Sequence, residues 1–229
     1  MRVAELWRYP VKSMAGEPLQ RADVRGDGIA GDRVVHVRDA RGRVITARSR
    51  PLLLGHRATL GADGEPLVDG RPWRSGEVGR DVAAAAGEGA RLVRYDGPGR
   101  FDVLPLLVAT DGAIQALGHD RRRLRPNLVI GGVGGLAERG WEGRALRAGP
   151  AIIGVHGLRA RCVMTTYDPD TLEQDRQVLE RIVREFDGRL ALDCYVIREG
   201  TISIGDPVEL IDVPVFRRRP YFGCGTVRM

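Results

Sequence analysis

Arg161-Cys162-Val163-Met164-Thr165-Thr166-Tyr167-Asp168-Pro169-Asp170-Thr171 is the stretch on which the reading of this chain turns. An apolar run, Ala151-Ile152-Ile153-Gly154-Val155, leads towards it, and Asp168-Pro169-Asp170-Thr171 closes it as a turn. Cys162 therefore reads as sitting near the end of a β-segment, beside a basic residue, the setting in which a cysteine acts as nucleophile or ligand. One thiol with one arginine is not a protease signature. It suits a soft metal whose other donors come from an anionic cofactor, but for a cysteine taken at random a buried thiol that only packs is the commoner case.

The rest of the composition narrows the choice. With 229 residues, 43% hydrophobic and 29% charged, the chain is expected to fold as one large or two small domains. Its longest apolar runs, such as Leu104 to Ala109, are too short to span a bilayer, and the N-terminus has no signal-peptide layout, so a cytoplasmic protein is expected. Cys162, Cys194 and Cys224 lie far apart with no Cys-x-x-Cys pair. His36, His56, His119 and His156 form no zinc-type spacing, so a bound metal would not sit in an all-protein cage. Cys194 alternates with Leu192 and Val196 and reads as a core thiol.

The net charge is +6, with the densest basic run at Arg121-Arg122-Arg123-Leu124-Arg125. Aromatics are only 5% and no nucleic-acid motif is present, so a small-anion site or a solvated loop is expected rather than nucleic-acid binding. Of the 36 basic residues all are arginine except Lys12. A compact ammonium and a planar fork fit different sites, which singles Lys12 out.

In order, strands are expected at Val3 to Tyr9, Leu19 to Val24, Val34 to Val37 with a return at Val44 to Ala47, Arg57 to Leu60, Pro66 to Val68 and Ala90 to Tyr95. Val82 to Ala86 reads as a short helix. Many short strands with glycine turns indicate a small barrel or sandwich. After a connection at Asp96-Gly97-Pro98-Gly99 come a strand to Thr110, a helix from Gly112 to Leu117 capped by Asp111, and a strand at Leu128 to Ile130. Val178, Leu179, Ile182, Val183 and Phe186 share one face of a helix from about Asp175. Leu190 to Ile197 and Thr201 to Leu210 read as a terminal strand pair, followed by a basic tail that reads as a mobile or docking segment.

Taken together, Leu6-Trp7-Arg8-Tyr9-Pro10-Val11-Lys12-Ser13, Gly31-Asp32-Arg33, Arg125-Pro126-Asn127, Arg161-Cys162 through Thr171 and Gly205-Asp206-Pro207-Val208 resemble the MOSC-domain proteins, named after the C-terminal domain of molybdenum-cofactor sulfurase. In layout the chain is similar to the amidoxime-reducing component and its bacterial relatives. The resemblance implies a mainly β (α+β) protein: an N-terminal β-barrel-like lobe over 1–96, packed on a MOSC β-barrel with a few short helices over 97–212, then the tail 213–229. It implies a molybdenum–molybdopterin cofactor with Cys162 as metal ligand and catalytic residue. Lys12, Ser13, Arg33, Asp102, Thr110, Arg125, Asn127 and Arg161 would hold the pterin and its phosphate. The implied activity is reduction of N-hydroxylated compounds with electrons from a separate flavin or iron–sulfur protein. A sulfur carrier with a persulfide on Cys162, and a non-catalytic anion or nucleic-acid binder, are the other two readings.

Overall fold

The computed structural model describes residues 1–95 and 97–212; the expected basic tail, with Cys224, lies outside the described residues. In chain order the strands are β1 (Arg2–Arg8), β2 (Glu17–Leu19), β3 (Arg21–Arg25), β4 (Gly28–Ile29), β5 (Val35–Arg38), β6 (Val44–Ile45), β7 (Ala58–Leu60), β8 (Pro66–Val68), β9 (Arg71–Pro72) and β10 (Arg91–Arg94). They continue with β11 (Leu106–Thr110), β12 (Leu128–Gly131), β13 (Ala145–Ala148), β14 (Ala151–Ala160), β15 (Arg189–Arg198), β16 (Gly200–Ser203) and β17 (Val208–Ile211). The α-helices are α1 (Gly76–Ala86), α2 (Asp111–Leu117) and α3 (Arg176–Phe186). The protein is mainly β, as expected, and no helix among the described residues is long and apolar enough to cross a membrane.

One eight-stranded sheet, in the order β17-β13-β14-β15-β11-β12-β1-β2, organises the molecule. Three small sheets, β10-β5-β6, β16-β3-β4 and β7-β8-β9, complete it. The large sheet crosses between the two halves of the sequence. β1 pairs antiparallel with β12, setting Leu6 against Leu128, and β16 pairs with β3. One core accordingly combines Val3, Leu6, Val24 and Ile29 with Leu106, Val108, Leu128, Ile153 and Ile202. A second core is built from N-terminal residues between Val11 and Ala90, with Met164 packed against it, and a third joins α2 and α3 through Leu117, Val178, Ile182 and Phe186.

Four expected elements come out differently. Leu19 to Val24 is two strands, because the chain leaves the large sheet after β2 and enters the small sheet with β3. Leu190 to Leu210 is not a strand pair: β15 pairs with β14 and β11, whereas β16 pairs with β3 and β17 with β13. The corner at Gly200 turns against Pro150, where a Cβ would lie 2.9 Å from the backbone nitrogen of Ala151. At Pro207 the chain lacks an N–H to continue a ladder. The cap of α2 is Thr110, whose hydroxyl accepts from the Ala113 N–H at 3.1 Å. The Asp111 carboxylate instead accepts from Gly132 and Val133, fixing the glycine-rich loop. α1 also begins before Val82, because Ser75 caps it through the Val78 N–H.

Candidate cofactor site

β14 is ten residues long and delivers Arg159, Ala160 and, just past its end, Arg161 and Cys162 to one rim of the sheet. The Arg161 N–H donates to Gly188 O at 2.9 Å, and the next residues tighten into a 3-10 turn at Val163–Thr166. There the Thr165 N–H and hydroxyl both donate to Cys162 O, at 3.0 and 2.9 Å. Arg123, almost fully buried, reaches across to Thr166 O at 2.9 Å and Asp168 at 2.9 Å. The cysteine therefore stands on a braced turn, partly exposed, and among the described residues it is the single thiol of the cleft it faces. Cys194 is fully buried on β15, where burial pushes its thiol pKa well up, so it is a packing residue.

The cleft encloses about 810 Å3 counted out to solvent. Of the residues singled out from sequence, Lys12, Ser13, Arg33, Asp102, Arg125, Asn127, Arg161 and Cys162 all line it. Thr110 does not. It is fully buried at the end of β11, where its hydroxyl caps α2 and meets the buried Glu138 at 3.2 Å, so the structure gives it a structural place away from the cleft.

Several lining groups are occupied by the scaffold itself. Asn127 is 1% exposed; its Oδ1 accepts from the Leu107 N–H at 3.1 Å, and its Nδ2 donates to Asp32 at 3.2 Å and Trp7 O at 3.3 Å. Asp32, fully buried, also accepts from the Tyr9 N–H at 2.7 Å and from Arg33. The Ser13 hydroxyl accepts from the Ala47 N–H at 3.0 Å and so holds the loop that carries Thr46 and Arg48. Tyr9 lies between two guanidiniums, Arg125 at 4.4 Å and Arg33 at 5.1 Å from its ring centre. Burial pushes its phenol up to about 12, against the pull of both arginines. Ser13, Arg33 and Arg125 share a left-handed backbone (φ 73°, 55° and 57°) that side chains adopt at a cost of about 1 to 2 kcal/mol each. Such strain persists only where surrounding contacts fix it, and it gathers here at the cleft.

The charges fall into two groups. Lys12, Arg48 and Arg159 converge on Asp102, at 2.8, 2.6 and 3.6 Å. Burial alone would raise the Asp102 pKa, but Lys12 first and then Arg48 and Arg159 bring it down to about 2. Arg125 and Arg161, by contrast, have no carboxylate partner among the described residues. Arg125 donates to Met14 O at 2.7 Å and Arg161 to Leu124 O at 2.8 Å. The Arg161 Nε is buried with no partner at all. Burial lowers both guanidiniums to about 10; beside it, Arg33 acts on Arg125 and Arg159 on Arg161 in the same sense. Seven cationic side chains line the cleft against two carboxylates, Asp102 and Asp193.

Sequence reasoning missed Arg48, Arg123, Arg159 and Asp193. The signal for two of them was present: Arg159 and Arg161 alternate along β14, and Asp193 interrupts the apolar run of β15. Arg48 lies far off in sequence and reaches the cleft only through tertiary packing. Among the described residues no cluster of three or more His, Cys, Asp or Glu side chains could hold a metal ion. What the cleft has to offer is one thiol ringed by cations, two of them lacking an anion. That donor set fits a metal carried in by an anionic chelate, for which Cys162 would be the protein ligand.

The fold and cleft thus define a mainly β protein with a cation-lined cleft around Cys162. Two family models match it: the MOSC N-terminal beta barrel domain over residues 1–78 and the MOSC domain over residues 111–209. The chain belongs to the MOSC-domain proteins that carry this N-terminal barrel. It is 26% identical to mitochondrial amidoxime-reducing component 1 of Homo sapiens, across 91% of this chain and 82% of that protein. It is likewise 26% identical to mitochondrial amidoxime reducing component 2 of Macaca fascicularis, across 90% and 82%. Among solved structures the YUAD protein from Bacillus subtilis has the same fold, with a TM-score of 0.52 and 15% identity over 93% of this chain and 96% of that one.

Proposed function

We propose that this protein binds a molybdenum–molybdopterin cofactor in the cleft, with Cys162 as metal ligand, and reduces N-hydroxylated compounds such as amidoximes. The observation that carries the reading is the pair of half-buried guanidiniums, Arg125 and Arg161, that line the Cys162 cleft without a carboxylate partner among the described residues. An anionic group placed between them removes a desolvation cost that the cofactor-free protein bears. The names of the relatives at 26% identity supply the reaction class.

Lys12, Arg33, Arg125 and Arg161 would bind the phosphate and pterin oxygens. Asn127 and Asp32 hold Arg33 in place, and Ser13 holds the loop beneath Arg48. Asp102 fixes Lys12 and Arg48 at the cleft rim. When bound, the cofactor would supply the two-electron redox chemistry that cleaves the N–O bond. The electrons come from a separate flavin or iron–sulfur protein, and water is the second product.

The test is direct. Protein purified from a host that makes molybdopterin is assayed for molybdenum, then given reduced viologen and benzamidoxime. Stoichiometric benzamidine is expected, and Cys162→Ala should stay folded and lose metal or turnover. Fully loaded protein that turns over no amidoxime, and carries a transferable persulfide on Cys162, would establish the sulfur-carrier reading instead.

A further inference from the structure

Cys162 lines two clefts. The one described above extends towards Lys12, Arg33 and Arg125; a second, about 990 Å3 counted out to solvent, opens on the other side towards Glu142, His156 and Arg189. Asp102 and Asp193 line both, and these two carboxylates are held differently. Three cations fix Asp102 through both of its oxygens. Asp193 is paired once, through Oδ1 to Arg159 at 2.7 Å, and its side chain is 8% exposed. Among the described residues its Oδ2 accepts no hydrogen bond, yet it is not sealed off, which leaves that oxygen to the clefts.

Resting on the reductase reading above, we propose that the outer cleft is the substrate side of the site and that Asp193 donates the proton with which the N-hydroxyl oxygen leaves as water. For an amidoxime the N–O bond breaks. Two electrons arrive from the external flavin or iron–sulfur donor. One proton passes from Asp193 to the departing oxygen, and a second, from solvent, goes to the nitrogen. Solvent in the outer cleft then reprotonates Asp193. The geometry is supported by the charge balance. Burial raises the Asp193 pKa, and Arg159, Arg161 and His156, all from β14 or its end, oppose this without cancelling it. On the neighbouring strand β11 its register partner is Leu107. Asp102, held down near its three cations, stays ionised and has no proton to give. Two carboxyl groups driven apart by their surroundings are the usual mark of a divided acid–base role.

The test compares molybdenum-loaded wild type with Asp193→Asn, Asp193→Glu and the double variant Asp193→Asn/Arg159→Gln, which removes the acid and its cation together. Molybdenum content, kcat and KM for benzamidoxime are measured against pH with reduced viologen. In parallel, the infrared carbonyl band of protonated carboxyl groups is titrated in cofactor-free protein. Both Asn variants are expected to keep their molybdenum and a KM within about twofold, while kcat falls roughly 100- to 10,000-fold. The decline of wild-type kcat with rising pH should vanish from the residual rate, and Asp193→Glu should restore it. One infrared band titrating above the ordinary aspartate range should be missing from Asp193→Asn. Full turnover with an unchanged pH profile in either Asn variant, or no such band in the wild type, would overturn the assignment. Loaded wild type that reduces no amidoxime would instead fail the reductase reading itself, and the proposal with it.

Discussion

Lys12 Nζ stands 2.8 Å from Asp102 Oδ1 and 2.9 Å from Arg100 O, so the only lysine of the chain ties the loop after β1 to the segment before β11. An ammonium can meet a carboxylate and a carbonyl at once from a narrow stem, whereas the guanidinium fork needs more width. Arg48 takes the other Asp102 oxygen at 2.6 Å.

The first prediction follows from the depressed Asp102 pKa. Its folded value is about 2 against an ordinary 3.8, so its contribution to stability is complete above pH 3.8 and is lost as pH falls towards 2. The size is about 2 kcal/mol. Urea titrations across this range should show wild type losing that much more stability than Asp102→Asn. Parallel curves would mean that the three cations do not act on Asp102 as their distances imply.

Arg125→Met and Arg161→Met should separate binding from folding. Each removes a half-buried cation that has no carboxylate partner among the described residues while keeping most of its apolar stem. Cofactor-free variants are expected to be as stable as wild type or more so. After expression with molybdopterin they should nevertheless retain much less molybdenum. A large loss of stability with full metal content would reverse the assignment of both residues.

Asn127 acts through what it holds. Replacing it with Ala leaves the Leu107 N–H and part of Asp32 without partners inside the wall of the cleft. Thermal or urea unfolding should show a loss of about 2 to 3 kcal/mol. Cofactor retention should fall with it, since Arg33 loses its support.

Leu6→Ala tests whether the two halves of the chain fold together. Leu6 is fully buried against Leu128 in the core that both halves share. A loss of about 2 to 5 kcal/mol is expected, in one cooperative transition detected alike by far-ultraviolet circular dichroism and by tryptophan fluorescence. Two resolved transitions, with only the first affected, would show the halves to be separable.

Much of this protein was legible from local chemistry. The amphipathic helix α3, the apolar run of β14 and the Asp168 turn each depend on neighbours within a few residues and stand where the sequence puts them, except that Val183, expected on the apolar face of α3, is exposed. Eight site residues could be read because short motifs keep their neighbours in fixed order, and all eight meet in one cleft. Thr110 failed that test because a threonine at the end of a strand can as well cap the following helix, and here it does.

Strand partnership lay beyond the sequence. A strand shows its buried face by alternation, but its open edges carry the same N–H and C=O groups whatever the side chains, so nothing in β1 names β12 and nothing in β16 names β3. Only the closed packing of the shared core chooses between them. The same packing brings Arg48 and Asp193 beside Cys162, across gaps of 114 and 31 positions that no local pattern spans. Residue identity determined what chemistry the chain holds; the crossing of the large sheet between its two halves decided where that chemistry meets.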